Sequence, residues 1–348
     1  DSGCTGSRRR LQGGALLATA SSCVESGGVL LWSAAAPGAP VMRVVHPAAH
    51  EASCVALARA EDGEEMCAVG FIDGSASLLS VKSMDELALL PLHSTSITAV
   101  AFGPLSTILT ASAAGDVLLR SASPSTPLAA LATLRPPGGA SIQTLDVLPP
   151  LDKLHAATTV GVWAFANAKQ QVEVWPLAAD ATLPPPAAPI AQLSLHESDS
   201  FAAQLPKEAD LMGWRANVAF LPANRQLLAA AGCVSRRRLL LYNYARRAVF
   251  MAVELEEWPC AIAACMAAPI IAVAGATGKV KLVVYPTAAQ MKTDLVAGAR
   301  TPGLSVLSSV DVSLHCSGIR CAAFAGNVLV TSTDDEVAMW KLPIDIPS

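Results

Sequence analysis

Three histidines open similar frames. In "HSTSITAVAFGP", His93 stands four residues before Ile97, seven before Val100 and nine before Phe102. "HCSGIRCAAFAG" puts Ile319, Ala322 and Phe324 at the same offsets from His315, and "HEASCVALA" puts Cys54 and Leu57 four and seven after His50. An imidazole can act as a general base or a metal ligand. Catalysis would also need a nucleophile or paired carboxylates beside it, and no nucleophile elbow, paired-carboxylate motif or dinucleotide fingerprint accompanies these frames. Two C-x4-C pairs, Cys260/Cys265 and Cys316/Cys321, lie near His315. Zinc sites favour tighter pairs in loops, whereas these cysteines alternate with alanine and isoleucine as buried strand residues do. "GATGK" at 275–279 has the wrong glycine spacing for a phosphate-binding loop, and Val280 stands where a hydroxyl residue must follow the lysine. No catalytic residue, metal or cofactor is expected.

One constellation suits binding instead. "SRRR" places Arg236, Arg237 and Arg238 in a turn of a chain whose formal net charge is −4, with Arg246 and Arg247 at the far end of the next apolar run. Guanidinium groups suit bidentate contacts to carboxylate or phosphate. A long insertion, "HESDSFAAQLPKEADLMGW", carries Asp199, Phe201 and Trp214. Arginine beside an aromatic ring is the usual make-up of an interface hot spot. A merely solvated turn is the bland alternative.

These residues must be positioned by something. The 348 residues are 52% hydrophobic and 15% charged, so the chain can bury a core. The longest apolar run, 260–276, is shorter than the ~20 residues of a spanning helix and contains Pro269. Nine cysteines scattered through apolar segments indicate reduced thiols. The chain is dominated by apolar runs of four to eight residues between turn residues, the mark of strands. Seven pairs of runs are joined by polar turns, among them "MCAVGFIDGSASLLSV", "TILTASAAGDVLLRS" and "NVLVTSTDDEVAMW". A further run precedes most pairs and another follows, which makes a four-stranded unit of about 50 residues. Such a repeat predicts an all-β fold: a seven-bladed β-propeller of four-stranded antiparallel blades.

The pattern resembles the WD-repeat β-propeller family as a divergent member. In that family a histidine before the innermost strand, an aspartate in the second hairpin turn and a tryptophan ending the third strand form a hydrogen-bonded structural set. His50, His93 and His315 match the first position, Asp73 and Asp334 the second, and Trp32, Trp175 and Trp340 the third. No Gly-His or Trp-Asp dipeptide occurs. The resemblance implies a structural role for these eight residues. It also implies a non-enzymatic interaction scaffold that presents loops to other proteins within a larger assembly.

Residues 1–348 are expected to form one propeller domain. Its first blade lacks an inner strand, because "DSGCTGSRRRLQGG" is a poor strand former, and its last blade lacks an outer one. The expectation is part of a longer chain, with about 20–30 preceding residues supplying the missing strands. An alternative function is a microtubule-, tubulin- or nucleic-acid-binding module that uses the arginine turn, for instance on an acidic tubulin tail. An enzyme with its site at the channel mouth is disfavoured, since the inner strands offer mostly Ala, Cys, Ile and Val. The alanine-rich composition resembles GC-rich eukaryotic genomes, where ciliary and centriolar propellers occur. The expected place is therefore cytoplasmic, in association with the cytoskeleton or a cilium, without a membrane span.

Overall fold

The computed structural model describes residues 5–11, 14–21, 28–33, 36–44, 51–59, 65–83, 85–104, 107–121, 130–136, 139–148, 159–178, 188–195, 215–232, 237–296, 308–334 and 336–342. Among the described residues twenty-seven strands fall into seven antiparallel sheets, and in each the strands follow one another in chain order. The first sheet holds β1 (Thr5–Leu11), β2 (Gly14–Ser21), β3 (Gly28–Ser33) and β4 (Ala36–Val44). The second holds β5 (Ala52–Arg59), β6 (Glu65–Phe71), β7 (Ser75–Ser80) and β8 (Glu86–Pro91), and the third β9 (Ile97–Gly103), β10 (Thr107–Ser112), β11 (Val117–Ser121) and β12 (Ala130–Leu134). The fourth is β13 (Ile142–Leu148), β14 (Thr159–Asn167), β15 (Gln171–Ala178) and β16 (Ala191–Ser194). The fifth is β17 (Asn217–Phe220), β18 (Leu227–Ala231), β19 (Arg238–Asn243) and β20 (Ala248–Glu254). In the sixth are β21 (Pro259–Ala264), β22 (Ile270–Gly275), β23 (Lys279–Val284) and β24 (Ser308–Ser313), and the last is β25 (Cys321–Ala325), β26 (Val328–Ser332) and β27 (Val337–Lys341).

Two expectations are corrected. Six sheets are four-stranded blades, not seven, and the last sheet has three strands among the described residues. The Leu342 N–H donates to the Asn327 carbonyl, which carries the pairing of β27 with β26 one step further. The first sheet is not short of a strand, because β1 pairs with β2 over all seven of its residues. Its arginines and glycine argue against a strand on side-chain propensity, yet pairing is made by backbone groups and outweighs that preference.

Internal contacts divide the chain into two compact units, 1–190 and 191–348. In the first, Val55, Leu57 and Val69 pack with Val29 of the neighbouring sheet, and Ile97 packs with Cys54 and Ala68. Trp163, Phe165 and Trp175 pack with Leu109 and Leu119. In the second, Tyr285, Leu239 and Ile271 form one core, and Phe324, Leu329 and Ala272 another. Each cluster joins two successive sheets. Small residues set the close approach: a Cβ on Gly70 would lie 2.6 Å from the Cys54 Sγ and from Ile97.

The turns of the central hairpins hold the loops that carry the histidines. Gly74 lies at φ +88° and its carbonyl accepts the N–H of Leu92 and of His93. Gly278, at φ +95°, accepts those of Leu314 and His315 in the same way. A left-handed residue turns its carbonyl toward the next sheet's entry loop, and only glycine adopts that conformation without penalty. A helix, α1 (Ala288–Val296), lies in the insertion after β23, where only a loop is expected from the sequence. Its signal is a capping box: Thr287 Oγ1 accepts the Gln290 N–H at 3.2 Å, and Gln290 Oε1 accepts the Thr287 N–H at 2.8 Å.

Candidate functional site

His315 enters the last sheet from the loop held by Gly278, and its side chain is buried. Its Nδ1 meets the Glu336 carboxylate, and its Nε2 lies 2.6 Å from Thr331 Oγ1. Trp340 Nε1 donates to the same Thr331 Oγ1 at 2.8 Å, with its ring edge-on to the imidazole at 5.9 Å. The network assigns the protons in one direction. Trp340 donates to Thr331, the Thr331 hydroxyl to Nε2, and Nδ1–H to Glu336. All polar positions of the imidazole are thereby taken up in fixing a loop.

Asp334 is not the acidic member of this set. It holds Arg320 through two contacts of 2.9 Å, while Glu336, two residues later, meets the histidine. Asp73 is displaced by the same two residues. It is exposed and accepts from the N–H and hydroxyl of Ser75, so it caps its own turn. In the last sheet the aspartate in the turn is taken up by Arg320, and the residue just before the third strand, Glu336, faces the entry loop.

Strand register carries the set to the third sheet. Trp340 lies opposite Leu329, two residues before Thr331, and Arg120 lies opposite Ile108, two residues before Thr110. His93 Nε2 is 2.9 Å from Thr110 Oγ1, and Asp116 stands four residues before Arg120 as Glu336 does before Trp340. Arginine thus replaces tryptophan here. Burial pushes the His93 pKa down; Asp116 and Thr110 oppose that shift, and Arg120 adds to it. In the fourth sheet Trp175 lies opposite Trp163, which puts Phe165 at the threonine position. With no hydroxyl there, Trp175 Nε1 donates to the buried Glu173 at 2.9 Å. Trp32 lies opposite Leu17 in β3, and its side chain, like His50, is outside the described residues.

A folded His93 below the usual value of about 6.5 stays neutral while the unfolded chain takes up a proton. Stability linked to His93 is therefore present above that value and lost as pH falls through it toward the folded pKa. Thermal melts of a His93→Gln variant should show a flatter fall between roughly pH 7 and 5 than the unaltered chain. His93→Ala should cost about 1–2 kcal/mol, read by chemical denaturation.

The arginine turn is only partly described, since Arg236 lies outside the described residues, as do Asp199, Phe201 and Trp214. Arg237 is exposed and its guanidinium carbon sits 5.5 Å from the centroid of the Trp258 ring, while Nη1 donates to the Glu256 carbonyl at 2.5 Å. Arg238 pairs with Glu254 at 2.7 Å. Close by, Lys279 pairs with Glu256 at 3.0 Å, and Glu257 accepts the N–H and hydroxyl of Thr277. The Lys279 hydrogen bond and charge hold the Glu256 carboxyl below its ordinary range. Each described cation of the turn is thus answered by an acidic or aromatic neighbour. Arg246 and Arg247 are exposed at the other end of β19. The sequence missed Trp258, whose signal is "EEWPC": an aromatic in the connection just before an innermost strand, on the side of the sheets where the arginine turn also lies.

"GATGK" is a hairpin turn in which the Gly278 N–H reaches the Gly275 carbonyl and Lys279 serves the Glu256 ion pair. Cys54, Cys67, Cys260 and Cys265 are buried free thiols, and burial pushes Cys67 up to about 12 and Cys260 up to about 11. Cys67 and Cys260 therefore carry almost no thiolate at neutral pH. Among the described residues no group of three or more His, Cys, Asp or Glu side chains is placed to hold a metal, and no helix is long and apolar enough to cross a membrane.

No family model and no curated protein matches the chain. Its fold is similar to that of a chain in the crystal structure of the mitotic checkpoint complex, with a TM-score of 0.69 at 15% identity over 97% of this chain and 86% of that one. Together with the blade topology, that likeness makes the fold a β-propeller of four-stranded antiparallel blades.

Proposed function

We propose that the chain is a non-enzymatic protein-interaction scaffold, with residues 1–348 acting as one domain, and that its partner surface includes Arg237 and Trp258. The observation that carries this is the pre-positioned Arg–Trp pair. Arg237 is exposed, yet its guanidinium is anchored by the Glu256 carbonyl and the Trp258 ring. A side chain already held in place loses little conformational freedom on binding, and such pairs dominate interface energetics. Two further observations support the reading. His315 spends both ring nitrogens, and His93 its Nε2, on loop-holding hydrogen bonds, and a similar fold occurs in a chain of the mitotic checkpoint complex.

The pairing of Arg238 with Glu254 and of Lys279 with Glu256 leaves the neighbourhood close to neutral. The expected partner is therefore a protein surface of mixed charge with an apolar centre, rather than a strongly acidic tail or nucleic acid. Arg236, Asp199, Phe201 and Trp214 extend the same surface in this proposal. The test is quantitative affinity capture from cell extract with the unaltered chain, Trp258→Ala and Arg237→Glu. Loss of the same specific partners from both variants, with unchanged melting temperatures, is the expected result. An unchanged partner set would place the working surface elsewhere. Binding that falls steeply with salt would favour the anionic-partner alternative.

A further inference from the structure

The outer strands of the blades differ in how their free edges are protected. β4 contains Pro37, Pro40 and Arg43, β8 begins with Glu86 and ends with Pro91, and β24 is rich in serine and carries Asp311. β12 and β16 have only five and four residues. Prolines, charges, short length and β-bulges are among the devices that keep sheet edges from pairing. β20 has none of the first three, and one irregularity in its ladder to β19. It runs seven residues, "AVFMAVE", with no proline and no charge before its terminal Glu254, and Val249 is 47% exposed. It is the last strand of its sheet, and no other described strand pairs with its far edge.

The backbone of that edge is set for pairing. The Leu255 N–H donates inward to the Arg237 carbonyl at 2.8 Å, so Val253 and Met251 also turn inward while Glu254 and Ala252 turn their N–H and C=O outward. The irregularity between Leu241 and Tyr242 shifts this alternation, which turns Val249 outward as well. Charge then selects the occupant. Exposed Arg246 and Arg247 precede the strand, and exposed Glu254 and Glu256 end it. An antiparallel copy of the same strand, centred between Phe250 and Met251, sets Ala252 against Val249 as an outward-facing pair. The same register brings Glu254 of each copy, which meets Arg238 of its own chain, toward the turn at the start of the other copy's β20, where Arg247 sits at φ +54°.

We infer that β20 is a self-complementary edge through which two copies of this chain associate about a two-fold axis, by antiparallel β20–β20 pairing closed at each end by Arg247 and Glu254. Two seven-residue strands bury little surface, so the dimer is weak, with Kd on the order of 100 μM. Sedimentation of the full chain over a range of concentrations, at low and at physiological salt, tests it. The unaltered chain should dimerise. Glu254→Arg and Arg247→Glu should each weaken self-association at least about tenfold, because like charges then meet at both ends. An equimolar mixture of the two variants should restore the dimer, since every end pair is again opposite in sign. Ala252→Pro, which removes an outward N–H and leaves the charges, should abolish pairing; thermal melts check that each variant is folded. A chain that stays monomeric at about 500 μM, well above that expected Kd, would overturn the inference. So would a dimer indifferent to the single reversals, or a mixture that fails to recover.

Discussion

Gly278→Ala should destabilise residues 191–348 by about 3–5 kcal/mol, with most of the loss visible as a lower midpoint in chemical denaturation. Two effects add. At φ +95° any L-residue with a Cβ is strained, and the added Cβ would lie 2.2 Å from the His315 carbonyl oxygen and 2.7 Å from its carbon. These are backbone atoms. They cannot rotate aside as a side chain would, so relief requires moving the loop that seats His315. The Gly278 carbonyl would then lose the N–H groups of Leu314 and His315. Gly326 is the internal control: its φ is +62°, with nothing within 4 Å of its would-be Cβ. Gly326→Ala should cost only about 1 kcal/mol. Equal losses at the two glycines would show that conformation alone matters and that the loop is not held by this contact. Gly74, whose Cβ would lie 2.3 Å from the His93 carbonyl oxygen, should behave like Gly278.

Thr331→Val should cost about 3 kcal/mol although it preserves shape and volume almost entirely. Thr331 is 1% exposed, and its hydroxyl serves two partners at once, accepting from Trp340 Nε1 and meeting His315 Nε2. A methyl group in its place leaves a half-buried indole N–H and a buried imidazole nitrogen without their partner, and each bears a desolvation cost without return. Thr110→Val in the third sheet should cost about half as much, because Arg120 stands there in place of the tryptophan and one such partner is lost rather than two. The ratio between the two substitutions is the informative measurement. Equal costs would mean that Trp340 contributes packing alone.

The arginine turn shows why a motif is a poor guide to a field. Three adjacent arginines in a chain of net negative charge suggest an anion site. Glu254, Glu256 and Trp258 lie some twenty residues later in the sequence and meet Arg237 and Arg238 across the β19–β20 pair. No local window joins them, since their proximity is set by strand register and by the connection into the next sheet. Much the same holds for the acidic member of the histidine set. Asp73 and Asp334 attract notice as aspartates in turns, but in the last sheet the side chain that reaches the entry loop is that of Glu336, just before the next strand, whereas Asp116 at the same place in the third sheet pairs with Arg135.

The repeat is legible in local sequence alone. All seven hairpins marked there by apolar runs and turn residues are paired strands in the structure, and six inner strands begin within a few residues of the expected positions. The seats of His93 and His315 are legible there too, because the spacing from histidine to inner strand is a local property of the backbone. Hydrophobic alternation and turn chemistry are short-range signals, and blades are short-range objects. Long-range pairing was needed to show that Thr5–Leu11 is a strand despite its arginines, that six sheets and not seven have four strands among the described residues, and that Glu336 rather than Asp334 meets His315. The fold alone placed Trp258 under Arg237 and left β20 with an unprotected edge. Each of these depends on which backbone or side chain stands opposite another, and opposition is fixed by pairing register between strands rather than by any residue's own preference.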